Sequence, residues 1–347
     1  CCQSACFPVV LTLDMRTIRW GMIGCGAVAE VKSGPGFYKA DHSALVAVTS
    51  RDVSRAQSFA TRHGVASVYT SNEALVADPT IDAVYIATPP SSHKPLSLLV
   101  ARAGKHVYVE KPMAMRFEEC REMVDACQQH GVRLFVAFYR RAMPRFLKIK
   151  EWIDSGAIGD VRNVRAVQHQ PPAPEDLSRA TLPWRLMPEV AGGGKFLDMG
   201  IHKLDLFDFL FGAIEEVHGI ASNQAGLYDV EDTVTATWRH ASGVQGFGSW
   251  CYVCGQGEDF IEIVGSGGTI SFEFFSDKPL RLVNAQGEQL LQISNPAHVQ
   301  QPFIQSIVDE LNGGAPCPGD VESAVRSSWV ADQVLQDYRS RSPATNR

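Results

Sequence analysis

From residue 17 to about residue 138, short apolar runs alternate with stretches in which apolar residues recur every three or four positions. The runs TIRWGMIG (17–24), ALVAVTS (44–50), AVYIAT (83–88), HVYVE (106–110) and RLFVAF (133–138) have the length and apolar continuity of strands buried on both faces. Residues 52–64, 71–79, 93–104 and 116–131 read as helices, most of them stopped by glycine or proline. Buried strands separated by helices predict a parallel, doubly wound sheet.

After Phe138 the pattern changes. Residues 144–156 read as a helix and 161–170 as a strand; a proline-rich loop then leads into a helical run at 196–212. Closely spaced strands are expected at 216–222, 233–240, 246–253, 259–265 and 268–274. In TVTATWRH (233–240), Val234, Ala236 and Trp238 fall on one face and the threonines and Arg239 on the other, which marks a half-buried strand. This half should be an α/β domain with a large, mostly antiparallel open sheet and helices on one face. A last helix at 320–337 is long enough to return across the first half. The expected domains are 15–138 and 139–347, with residues 1–14 a non-native or disordered extension ahead of a start at Met15.

Composition narrows the class. The 347 residues are 45% hydrophobic and 20% charged, with a net charge of −6, which fits a soluble globular protein and excludes a nucleic-acid partner. No run approaches the roughly 18 apolar residues of a membrane span, and the N-terminus lacks the basic start of a signal peptide, so a cytoplasmic protein is expected. The nine cysteines are odd in number and scattered, which suggests buried free thiols in a reducing compartment. Cys251 and Cys254 form a CxxC without partner ligands, so no metal site is read.

The first strand runs into GCGAVA, which places Gly24, Gly26 and Ala29 in a GxGxxA pattern. After a strand and before a helix, the first glycine permits a tight turn, the second lets backbone approach a pyrophosphate, and the alanine allows close helix packing. An acidic residue at the end of the second strand would grip the ribose of NAD(H). Here Ser50 and Arg51 stand instead, and a guanidinium suits the 2′-phosphate of NADP(H). NADP(H) is favoured and NAD(H) stays possible; Asp52 reads as the N-cap of the next helix. Glu110, Lys111 and Pro112 follow the fourth strand expected here, at the carboxyl edge where such sheets bind cofactor.

In AGGGKFLDMGIHKLDLFDFLFG (191–212), three glycines precede a helix whose Asp198, His202 and Asp205 share one face. The glycines would allow close approach of backbone and substrate. His202 has the side chain whose ordinary pKa suits proton transfer at neutral pH, Asp198 could orient it or hold hydroxyls, and Lys111 could stabilise a developing oxyanion. Asp205 is either a support of the sheet or solvated.

The motifs GCGAVA, TPPSSH, AGKHVYVEKPMA and GGGKFLDMGIHKLD, in that order, resemble the Gfo/Idh/MocA family of nicotinamide-dependent oxidoreductases from Arg19 to about Tyr338. The resemblance implies a Rossmann domain, a second domain whose open sheet forms homodimers or homotetramers, and a sugar-like or polyol substrate. It carries catalytic roles to Lys111, Asp198 and His202. Cofactor contacts fall on Gly24, Gly26, Ala27, Val28, Ser50, Arg51, Thr88, Pro89, His93, Glu110 and Lys111. Substrate contacts fall on Tyr139, Arg141, Trp184, Arg185, Asp198 and His202. The SR pair and PWRLMPEVAGGG are similar to the NADP-dependent 1,5-anhydro-D-fructose reductases and, for the SR pair, to dimeric dihydrodiol dehydrogenases. Two other readings stand beside an oxidoreductase: a glycosidase that retains its NAD, against which Arg51 argues, and a non-catalytic dinucleotide sensor, against which the presence of Lys111 and His202 argues.

Overall fold

The structure, a computed structural model, describes residues 15–341; the expectation for residues 1–14 lies outside them. Its first half is a six-stranded parallel sheet of β1 (Ile18–Ile23), β2 (Ser43–Thr49), β3 (Ser67–Tyr69), β4 (Ala83–Ile86), β5 (His106–Val109) and β6 (Leu134–Val136), in the order β3-β2-β1-β4-β5-β6. The helices between them are α1 (Gly34–Lys39), α2 (Val53–His63), α3 (Asn72–Val76), α4 (His93–Arg102) and α5 (Phe117–Gln129). The strand order reverses between β1 and β4, which opens a crevice at the carboxyl ends of those strands. Asp52 caps α2, its carboxylate accepting from Arg55 N at 3.2 Å. In this half β3 escaped the sequence pattern, because three half-buried residues at a sheet edge carry no periodicity.

Aromatic residues fill this half. Trp20, Phe37, Tyr85 and Tyr108 are buried, with ring centroids 4.9 Å apart for Trp20 and Phe37, 5.0 Å for Phe37 and Tyr85, and 4.9 Å for Tyr85 and Tyr108. Such pairs add to the burial that holds β1, β4 and β5 together.

The second half begins with α6 (Pro144–Asp154) and β7 (Val161–His169), then reaches α7 (Pro188–Ala191) and α8 (Ile201–Phe211). The strands β8 (Ile214–Ser222), β9 (Thr233–His240), β10 (Gln245–Cys251), β11 (Glu258–Gly265), β12 (Gly268–Phe272), β13 (Leu280–Asn284) and β14 (Gly287–Leu291) follow, and then α9 (Gln301–Leu311) and α10 (Val321–Arg341). The eight strands run β14-β13-β12-β11-β7-β10-β9-β8, antiparallel except where β7 meets β10. β9 alternates as its sequence predicts, Val234, Ala236, Trp238 and His240 facing inward. The hairpin of β13 and β14 was not anticipated, since β14 is polar and exposed. Helix α10 packs on α8 and β8 and reaches α5, where Asp332 accepts from Phe117 N at 2.7 Å. The six described cysteines are free thiols; Cys251 and Cys254 are half-buried rather than buried, and Cys254 lies beyond the end of β10.

Candidate active site

The turn after β1 is shaped by its glycines. Gly24 has φ +102°, and a Cβ there would lie 2.6 Å from Ala87 O, so a side chain would push β1 off the end of β4. At Gly26 a Cβ would meet nothing within 4 Å; this open cradle fits a pyrophosphate. Helical backbone begins at Ala27 and Val28 immediately behind it, where N–H groups lack a preceding carbonyl. Ser50 is half-buried at the end of β2, and Arg51 is exposed with no partner among the described residues. Thr88 and Pro89 follow β4, with Thr88 Oγ1 accepting from Ser92 Oγ at 2.7 Å.

Two strands across the sheet, at the carboxyl end of β5, Lys111 Nζ donates to Asp198 Oδ1 and to Asp198 O, both at 2.7 Å. Arg185 Nε lies 3.4 Å from Asp198 Oδ2, and its guanidinium stacks 4.4 Å from the Trp184 ring centroid. Burial opposes ionisation of Asp198, but Lys111 and Arg185 outweigh it and hold the carboxyl below its usual range. Residues Phe196–Gly200 form a wide turn in which Ile201 N reaches back to Phe196 O, and α8 continues from there to carry His202. His202 is 5% exposed, and its ring makes no hydrogen bond among the described residues. The rings of Phe138 and Tyr139 stand edge-on to it, at 6.0 and 5.7 Å. Burial first, then the charges of Arg140, Lys111 and Lys32, push its pKa well below 6.5, so the imidazole is neutral at pH 7.

Several residues read as site contacts do other work. His93 is fully buried, its ring nitrogens 2.9 Å from Pro112 O and 2.8 Å from Thr88 O, so it ties the two cofactor-edge loops together and does not face the cleft. Glu110 spends its carboxylate inside the protein, accepting from Tyr85 Oη and Gln300 Nε2 at 2.6 Å and from Lys111 N at 3.2 Å. Arg141, expected at the substrate, is buried against Asp205, with Nη2 2.7 Å and Nε 3.0 Å from its carboxylate oxygens. Burial lifts Asp205 to about 6, still ionised at neutral pH opposite Arg141. The triple glycine serves the protein rather than a substrate: a Cβ at Gly192 would meet Met115 at 2.7 Å, and one at Gly194 would meet Glu231 O at 2.4 Å.

The sequence missed Arg140, whose charge acts on His202, and Gln300, which joins Glu110 and Tyr108 by hydrogen bonds of 2.6 and 2.7 Å. The run YRRA held a signal for the first. In a tight 3₁₀ turn, successive side chains diverge by about 120°, so two adjacent arginines point to different surroundings.

A parallel sheet with a phosphate cradle, joined to a lysine and a neutral histidine, defines a nicotinamide-dependent oxidoreductase. Residues 18–138 match the oxidoreductase family with an NAD-binding Rossmann fold, and residues 146–271 match the GFO/IDH/MocA C-terminal domain. The chain belongs to the GFO/IDH/MocA family. It is 40% identical to Oxidoreductase P35 of Formosa agariphila over 91% of this chain and 97% of that protein. It is 32% identical to the 1,5-anhydro-D-fructose reductase of Ensifer adhaerens over 85% of this chain and 88% of that enzyme. Among solved structures, levoglucosan dehydrogenase in complex with NADH and L-sorbose has the same fold, with a TM-score of 0.83 and 24% identity across 94% of this chain and 98% of that one. Among the described residues, no helix is long and apolar enough to cross a membrane.

Proposed function

We propose that the protein transfers a hydride between NADP(H), with NAD(H) as the weaker partner, and a carbonyl or hydroxyl carbon of a sugar, polyol or related small molecule. The placement of Lys111 and Asp198 beside the neutral His202 carries this reading. The reductase and dehydrogenase activities in the names of its relatives support it. When bound, the nicotinamide supplies or accepts the hydride. Lys111 has three ammonium donors, of which Asp198 takes two, leaving one for the substrate oxygen as charge develops there. His202, neutral in the ligand-free site, takes the hydroxyl proton during oxidation and returns it during reduction. Asp198 fixes the ammonium, and Trp184 and Arg185 border the substrate side.

Residues 15–138 serve as the dinucleotide domain and 139–347 as the substrate and assembly domain in this reading. The outer face of the eight-stranded sheet exposes Ile220 at 74% and Phe247 at 48%, with Val167, Thr235 and Thr237 beside them. Apolar exposure of this kind on a flat sheet supports a homodimer or homotetramer assembled through that face.

The test is loss of the reduced nicotinamide absorbance with a panel of ketoses and aldoses, using NADPH and NADH in parallel. Turnover should be faster with NADPH, and Lys111→Ala should lower kcat by about 10²- to 10³-fold. Arg51→Ala should weaken NADPH and spare NADH. Activity untouched by Lys111→Ala would sink the catalytic assignment, and an Arg51→Ala enzyme with unchanged cofactor preference would sink the NADP(H) assignment.

A further inference from the structure

Arg140 is 8% exposed, and its Nε and Nη1 are buried without a hydrogen-bond partner among the described residues. The next arginine, Arg141, shows what such a group ordinarily finds, a carboxylate gripped by two nitrogens. Arg140 instead lies among three aromatic rings, 5.0 Å from Tyr139, 4.5 Å from Phe274 and 4.9 Å from Phe275. Ring faces attract the cation but leave its in-plane N–H groups unbonded; Nη2, also without a partner among the described residues, is the nitrogen that is not fully covered, so the edge it shares with Nη1 is the one open to a carboxylate in bidentate fashion.

We infer that Arg140 binds an anionic end of the substrate, so that the enzyme acts on carboxylate-bearing sugars or polyols, such as uronates and aldonates, in preference to neutral ones. This rests on the oxidoreductase reading above. The position fits, since the Tyr139 ring neighbours both groups, 5.0 Å from the Arg140 guanidinium carbon and 5.7 Å from the His202 imidazole, and the charge of Arg140 acts on His202. The cofactor phosphates are not the target. Arg140 follows β6, three places from β1 in the sheet, or about 14 Å from the phosphate turn at the usual strand spacing.

Charge balance points the same way. Lys32, Lys111 and Arg140 all act on His202, while Asp198, the carboxylate bonded to Lys111, also meets Arg185. During oxidation the C–H hydrogen leaves the hydroxyl carbon with its electron pair for the oxidised nicotinamide, the carbon becomes a carbonyl, and the O–H proton passes to His202. That proton adds a further positive charge to an already cationic and buried site. A substrate carboxylate on Arg140 would offset it.

The test compares two acid and neutral pairs, D-glucuronate with D-glucose and D-gluconate with D-glucitol, by kcat/KM with NADP⁺ and NAD⁺. A second readout is the rise in Tm that each compound gives the purified chain in the presence of NADPH. At least one acid should exceed its neutral partner by about 10- to 100-fold, the worth of one charged hydrogen-bonded contact. That acid should also raise Tm where its partner does not. Arg140→Gln should bring the ratio near 1 and abolish the Tm rise, with Arg140→Lys intermediate; unfolding of the free variants checks that both fold. Equal use of both members of each pair, or a proportional loss of both in Arg140→Gln, overturns the inference and leaves the oxidoreductase reading standing. No turnover of any of the four compounds together with no acid-specific Tm rise likewise overturns the inference, while the oxidoreductase reading is decided by the carbonyl panel and Lys111→Ala.

Discussion

His202 is held neutral by its surroundings, and that has a thermodynamic signature. In the unfolded chain the imidazole titrates near 6.5, whereas in the folded protein burial, Arg140, Lys111 and Lys32 hold it well below that value. Above about pH 6.5 both states are neutral and the group contributes no slope. Below it the unfolded chain binds the proton first, so stability falls with pH by up to about 1.4 kcal/mol per unit until the folded pKa is reached. His202→Asn should therefore flatten the loss of stability between pH 6.5 and 5 in urea unfolding; an unchanged slope would mean that another group resists protonation. At this scale the sequence located Lys111, Asp198, Arg185 and His202, which the fold brings together. It failed where direction mattered. Nothing in YRRA says which arginine turns toward Asp205 and which toward Phe274, and nothing in EKP says that its glutamate turns inward to Tyr85.

Elements show a similar division. The strands of the first half and most of the second follow from apolar runs and alternation, because burial acts on each residue through its own position in the strand. The closing of helix ends is less local. The residue before α5, Arg116, supplies no side-chain cap, and the free N–H of Phe117 is taken by Asp332 on α10, more than two hundred residues away in sequence. Asp332 also pairs with Arg339 one helical stretch further on. Removing a capping carboxylate costs about 0.5–2 kcal/mol, so Asp332→Ala should lower the urea midpoint accordingly, and Asp332→Asn, which keeps an acceptor, should lose less. Equal losses in the two variants would show that the charge facing Arg339 matters more than the hydrogen bond. No pattern within residues 116–131 could have announced this cap.

For the whole molecule, the open sheet face makes the sharpest prediction. Ile220 and Phe247 project from β8 and β10 on the side away from α8 and α10, so a charge at both positions should cost nothing in the folded subunit and oppose assembly. Ile220→Asp with Phe247→Asp should convert the proposed homodimer or homotetramer to a monomer in light scattering with the unfolding curve of the subunit retained. An oligomer of unchanged size would exclude this face. The same sheet also dictates an order of events in synthesis. β7 lies in its middle, between β11 and β10, and its residue Asn163 pairs with Gln245 on one side and Val264 on the other. The central strand is thus made first among the eight, yet neither neighbour exists until some eighty residues later on the chain. Closing so long a loop before any pairing is rewarded slows folding. Until Gln245 has left the ribosome, Val164 and Ala166 have no sheet to enter, and their exposed apolar side chains leave the nascent chain open to aggregation in that interval.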